Sequence, residues 1–132
     1  MIYLDTSALV TLLSRRKYGK ELRGFLAGRP VMPMATSTLG FVETVRTMDR
    51  VGDYPDLMRD LVNGFTEILL TDEVRDAAAT LPGALRTLDA VHVASARILG
   101  DSLDTLLTYD KRMLDVARAT GLPAEAPGLP SA

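Results

Sequence analysis

Met1-Ile2-Tyr3-Leu4-Asp5-Thr6-Ser7-Ala8-Leu9 opens the chain, and Thr105-Leu106-Leu107-Thr108-Tyr109-Asp110 follows the same order near its other end. Each stretch starts with a short apolar run, which reads as a buried strand. Each then reaches an aspartate, and after it apolar residues recur at helical spacing. They are Ala8, Leu9, Leu12 and Leu13 after Asp5, and Met113, Leu114 and Ala117 after Asp110. Strand, aspartate, helix is the unit that decides the fold. Asp5, Thr6 and Ser7 are also residue types that cap helix N-termini.

Working outward, Gly19 and Gly28 bracket a predicted helix with Leu22, Phe25 and Leu26 on one face. Val31-Met32-Pro33-Met34 reads as a short strand or its approach, with Pro33 at an edge or end. Thr36, Ser37 and Thr38 offer an N-cap for a helix whose apolar face is Leu39, Val42, Val45 and Met48. Gly52 to Pro55 breaks it, and Leu57, Met58, Leu61, Val62 and Phe65 form another amphipathic helix. Glu67 to Leu70 reads as a strand. Thr71-Asp72-Glu73 then caps a helix that stops at Pro82-Gly83. Residues 87–99 are apolar almost all round and predict a buried helix with Thr87 as a candidate cap. Strands alternating with helices imply an α/β domain with a mostly parallel sheet between helical layers. The domain is expected over residues 1–123, with a short last strand after Gly121 and a loose Pro/Gly/Ala-rich tail over 124–132.

The 132 residues suit one domain, and 47 % hydrophobic with 24 % charged residues is a globular composition. There is no Cys, which excludes disulfides, thiolate zinc sites and cysteine nucleophiles. The N-terminus lacks a basic leader and an acid interrupts its apolar run, so no signal peptide is expected. No apolar stretch approaches membrane-spanning length, and no membrane partner is expected. Fifteen basic against seventeen acidic residues give a net charge of −2. Nucleic-acid binding would therefore rest on local patches. Arg15, Arg16, Lys17, Lys20, Arg23 and Arg29, opposed only by Glu21, are one candidate; a solvated helix face is the alternative.

Four acids stand out. In open α/β sheets ligands sit beyond the C-terminal strand ends, where Asp5 and Asp110 fall. Asp89 lies near the start of the buried helix and can reach the same edge. Glu43 lies among residues expected to be buried. Taken singly, each has a plain structural role: cap, dipole partner, turn residue or helix-surface pair. Together they would repel one another, by roughly 4 kcal/mol per pair at ~4 Å and an effective dielectric of 20, so such a site needs protons or cations. An all-oxygen set suits Mg²⁺ or Mn²⁺ rather than Zn²⁺. Hard metals held by carboxylates are the equipment of phosphodiester cleavage.

These blocks resemble the PIN-domain ribonucleases of the VapC toxin type. Residues 1–9 resemble the family's first block, Phe41 to Arg46 the second, Leu88 to Ala96 the third and Leu107 to Met113 the fourth. The likeness runs from Met1 to about Pro123. It implies a three-layer α/β/α domain and a cytoplasmic, Mg²⁺-dependent endoribonuclease, with Mn²⁺ as a substitute, that leaves a 5′-phosphate and a 3′-hydroxyl. The family's acidic quartet maps onto Asp5, Glu43, Asp89 and Asp110 as catalytic and metal-holding residues. Thr6, Ser7 and Thr108 fall where hydroxyls line such sites. Arg46, Arg50, Lys111, Arg112, Arg15 and Arg16 are candidates for the RNA backbone. The implied partners are an RNA substrate, a VapB-like antitoxin, and a second copy in a homodimer or a toxin–antitoxin hetero-oligomer. His92, the only histidine, is a candidate general base, a packed core residue or a support for Asp89. Rival readings are a non-catalytic PIN-like binding module, a metal-dependent DNA nuclease and a phospho-accepting receiver domain. The receiver lacks support: Asp5 has no adjacent acid, and Asp89 opens an apolar helix.

Overall fold

The computed structural model describes residues 1–130. Strand β1 (Ile2–Leu4) leads straight into α1 (Thr6–Leu13), because Asp5 caps the helix by accepting from the Ala8 amide. The chain continues through α2 (Gly19–Ala27), β2 (Met34–Ser37), α3 (Thr38–Asp49), α4 (Leu57–Gly64), β3 (Thr66–Ile68) and α5 (Asp72–Ala79). It closes with α6 (Thr87–Arg97), a 3₁₀ turn, β4 (Thr105–Leu107), α7 (Lys111–Ala119) and β5 (Ala124–Glu125). The strands form one sheet in the order β3-β2-β1-β4-β5, and all of its pairings are parallel.

Strand alternation divides the core. Ile2, Leu4 and Leu107 face a cluster with Leu9, Leu22, Phe41, Met48 and Leu61 from α1 to α4. Tyr3 and Leu106 face the opposite layer, with Ala96, Leu114 and Ala117 from α6 and α7. Helices on both sides of a short parallel sheet make the three-layer α/β/α arrangement that the sequence predicts.

Several elements differ from expectation. Val31 is exposed and β2 begins only at Met34, while the Pro33 carbonyl accepts from the Ile2 amide at 2.8 Å. The inward face of α3 is Gly40, Phe41, Thr44 and Met48, and Val42 is 44 % exposed. The helix follows β2 without a loop, Ser37 capping Gly40, so the strand rather than the apolar pattern sets its phase. Met58 and Val62 face outward from α4, and β3 stops before the exposed Leu69 and Leu70. Thr71 caps α5 as predicted, whereas Thr87 lies inside α6 rather than capping it.

The expected loose tail is packed as far as residues 124–129. Ala124 and Glu125 pair with β4, Ala126 is buried, and the Pro127 carbonyl accepts from the Tyr109 hydroxyl at 2.8 Å. Leu122, Ala124 and Ala126 alternate inward, a strand pattern hidden by the Pro/Gly-rich composition. Residues 131–132 of that tail lie outside the described residues.

Gly40 is required by packing. A Cβ there would stand 2.1 Å from Thr36 Oγ1 and 3.2 Å from Thr36 Cβ, where β2 meets α3. Gly40→Ala is expected to cost about 2 kcal/mol through overpacking, which lowers Tm by about 8 °C. Thr36 Oγ1 is buried without a partner, so adding Thr36→Ala should restore most of the loss. Equal melting of wild type and Gly40→Ala would show that the junction relaxes freely.

Candidate active site

The sheet order places β1 beside β4, with β2 and β3 on one flank and β5 on the other. The chain reverses direction across the sheet between these two strands, and a crevice opens beyond their C-terminal ends. Asp5 and Asp110 occupy those ends, tied together through the Asp5 amide donating to the Leu107 carbonyl at 3.2 Å.

Asp5 is 2 % exposed. Its Oδ1 accepts from the Ala8 amide at 2.8 Å and from Ser7 Oγ at 2.6 Å, and its Oδ2 accepts from Thr108 Oγ1 at 2.6 Å. Burial nevertheless raises its pKa above the ordinary carboxylate value, and the His92 charge and these donors only partly offset that. Ser7 and Thr108 also hold the β4 exit: Tyr109 N donates to Ser7 Oγ at 2.9 Å, and Asp110 N to Thr108 Oγ1 at 3.1 Å. Asp110 caps α7 through the Met113 amide at 3.0 Å. Both aspartates are therefore helix caps as well as residues that line the cleft.

Asp89 lies in the first turn of α6. Burial raises its pKa first, and repulsion from Asp110 raises it further, against the attraction of Arg86. Glu43 comes from α3, its Oε1 accepting from Thr6 Oγ1 at 2.6 Å with His92 Nε2 at 2.9 Å. That histidine contact, followed by the Thr6 contact, holds its pKa below the usual value despite partial burial.

One cleft of about 230 Å³ is lined by Asp5, Thr6, Ser7, Glu43, Asp89, His92 and Asp110, together with Arg16, Thr47, Val10 and Met113. Thr108 stands behind Asp5. A second cleft shares Asp89 and Asp110 and adds Arg86, Lys111 and Arg112. Arg15, Arg46 and Arg50 are exposed and line neither.

Arg86 is absent from the sequence-derived set. It lies 3.5 Å from Asp89 Oδ2 with its side chain 78 % exposed. Its position three residues before Asp89, one helical turn, is the signal that marks it. Arg16 reaches the cleft from a pinned loop. Tyr18, at φ 72°, stacks on Tyr109 with ring centroids 5.5 Å apart and planes 2° apart. A Cβ on Gly128 would meet the Tyr18 ring at 2.8 Å, so the packed C-terminal segment backs this stack.

The donor chemistry fits a hard cation. Four carboxylates meet in one cleft, where Asp110 and Glu43 repel the Asp89 charge on top of its burial, and a cation would relieve that repulsion. Among the described residues no three His, Asp or Glu side chains stand close enough to cage a metal by themselves. A cation held here would keep part of its water shell, which is the habit of Mg²⁺.

The PIN domain family model matches residues 2–119. The chain is 39 % identical over 133 residues to "Ribonuclease VapC47" of Mycobacterium tuberculosis, covering 97 % of this chain and 98 % of that protein. Its fold is similar to the crystal structure of Mycobacterium tuberculosis VapC20, a sarcin–ricin loop cleaving toxin. The TM-score is 0.71 at 17 % identity, over 96 % of this chain and 100 % of the other. It is also similar to a structure of VapBC-1 from nontypeable Haemophilus influenzae, with a TM-score of 0.66 at 16 % identity over 96 % of this chain and 98 % of the other. The extent of the family match and the full-length identity to a VapC ribonuclease lead to one assignment: the chain belongs to the PIN domain family and, within it, to the VapC ribonucleases.

Proposed function

We propose that this protein is a Mg²⁺-dependent endoribonuclease and the toxin of a VapB-type toxin–antitoxin pair. The observation that carries this reading is the meeting of Asp5, Glu43, Asp89 and Asp110, from four separate elements, in one cleft at the β1–β4 edge. The full-length likeness to a VapC ribonuclease and the fold likeness to a loop-cleaving toxin and to VapBC-1 support it. The working form is a cytoplasmic PIN domain that forms a homodimer and is silenced in a hetero-oligomer with its antitoxin. No helix among the described residues is long and apolar enough to cross a membrane.

Asp5, Asp89 and Asp110 would hold Mg²⁺, with Glu43 contacting it or its water; Mn²⁺ would substitute. When bound, the cation lowers the pKa of a water and offsets charge growing on the phosphate oxygens. The chain's own residues supply the rest. Ser7, Thr108 and the Ala8 amide fix Asp5, so its carboxylate needs no reorganisation. Arg16, Arg86, Lys111 and Arg112 hold the backbone on either side of the scissile phosphate, positioning RNA without reading its sequence. Water adds to phosphorus as the bond to the 3′-oxygen breaks, leaving a 5′-phosphate and a 3′-hydroxyl.

The test is digestion of matched single-stranded RNA and DNA with Mg²⁺, followed by mapping of product ends. RNA cut to 5′-phosphate ends is expected. Equal cutting of DNA would make it a DNA nuclease. Binding without cleavage of any RNA pool, ribosomal and transfer RNA included, would make it a binding module.

The basic residues give a separate prediction. Arg16→Ala with Arg112→Ala should weaken RNA binding and lower the slope of log K against log salt by about 1.4, since each phosphate contact on a single strand contributes about 0.7. Arg46→Ala with Arg50→Ala, outside both clefts, should leave that slope unchanged. The opposite ranking would move the RNA path onto α3.

A further inference from the structure

Glu43 is held through one of its two carboxylate oxygens. Thr6 Oγ1 at 2.6 Å and His92 Nε2 at 2.9 Å both meet Oε1, so Oε2 keeps its lone pairs. His92 is 2 % exposed, and its other nitrogen, Nδ1, lies 2.8 Å from the Tyr3 hydroxyl. The two rings meet edge to face, with centroids 5.9 Å apart and planes at 75°. Tyr3 lies wholly inside the core, so its hydroxyl meets Nδ1 away from water. Nε2 faces the Glu43 carboxylate, which only accepts, so Nε2 is the donor of that hydrogen bond. The line Tyr3–His92–Glu43, joined by Thr6, links β1, α6, α3 and α1.

We propose that His92 is the positioning residue for Glu43, holding Oε1 so that Oε2 is presented to the cation and water in the cleft. This rests on reading the cleft as a nuclease site. A general-base role does not fit, because both ring nitrogens are engaged and the ring is buried. Support of Asp89 does not fit either: His92 hydrogen-bonds Tyr3, Thr6 and Glu43, and Asp89 pairs with Arg86. A packed core histidine needs a polar partner, but not a half-buried acid lining the cleft.

A double-mutant cycle tests it. His92→Phe keeps the ring's shape and removes its hydrogen bonds to Tyr3, Thr6 and Glu43. It should lower kcat roughly 10- to 100-fold, the usual cost of losing such a supporting group, with KM nearly unchanged. In the Glu43→Gln background, where the carboxylate that His92 holds is gone, the same substitution should cost far less kcat than in the wild type, while Tm falls in both backgrounds. His92→Gln, whose amide can donate to Glu43, should recover part of kcat. Losses that multiply across the two backgrounds would overturn the proposal. A second readout needs no activity: the His92 Nε2 proton, observed by ¹⁵N NMR, should move when Glu43→Gln replaces its carboxylate partner. An unmoved resonance would overturn the link. If the wild type cleaves no RNA, the nuclease reading fails and the resonance still decides whether His92 holds Glu43.

Discussion

Asp5→Asn is expected to reduce RNA cleavage by at least about a thousandfold, the scale of losing one essential group in a site that acts as a unit, while the fold becomes more stable at neutral pH. The two halves of this result have different causes. Asparagine keeps an oxygen for the Ala8 amide and for Ser7 Oγ, and Asn caps a helix about as well as Asp, so α1 starts where it did. The Thr108 hydroxyl, which donates to Oδ2, can turn and accept from the new amide instead. What disappears is a buried charge. Its folded pKa is raised, so its protonated form favours folding below the unfolded value of about 3.9. That contribution is lost as pH rises through the folded value. The wild type therefore carries a penalty at pH 7 that the variant lacks. Melting both proteins from pH 4 to 8 with chelator present should show a Tm difference that grows with pH and then levels off. A gain near 1 kcal/mol would read as about 4 °C. Near-wild-type turnover in Asp5→Asn would remove this residue from the chemistry, and a fall in Tm would show that the charge is fully compensated by its three donors.

Asp5 and Asp110 are legible from sequence because a two-faced buried strand is a short apolar run, and the residue after it is placed by the strand rather than by its own side chain. Parallel order follows from the alternation of element types, since each crossover is long enough for a helix. Three features are not legible, for separate reasons. The phase of α3 is set by its direct exit from β2 and by the Gly40–Thr36 contact, neither of which leaves an apolar period. Glu43 belongs to the cleft, yet its apolar neighbours in sequence are not what surrounds it: Val42 faces outward, and its fixed partners are Thr6 and His92 from other helices. Arg16 and Arg46 look equivalent as text. Arg16 lines the cleft, two residues before Tyr18, whose ring stacks on Tyr109, while Arg46 stays exposed on α3.

Mn²⁺ should raise the Tm of the wild type and lose most of that effect in Asp89→Asn. In the cation-free protein Asp89 is pushed toward its protonated form by burial and by Asp110, with Glu43 adding to the repulsion and Arg86 opposing it. Removing its charge relieves this, so with chelator present Asp89→Asn should melt at or above the wild type. A ligand that binds only the folded state adds RT ln(1 + [L]/Kd), about 2.7 kcal/mol at a hundred times Kd. For a domain of this size that is about 10 °C. The wild type, with all its carboxylates, should gain on this scale. The variant keeps Asp5, Asp110 and Glu43 but loses one anionic ligand, so it should gain far less at the same concentration. The two titration curves should therefore cross, the variant ahead without cation and the wild type ahead with it. A general effect of ionic strength cannot produce a crossing, because screening only weakens the like-charge repulsion and can at most close the gap, and a monovalent salt control of equal ionic strength measures it directly. Parallel curves in Mn²⁺ would mean that the cation binds away from Asp89. A wild-type curve that stays flat to millimolar Mn²⁺ and Mg²⁺ would mean that the RNA-free cleft holds no cation at these concentrations.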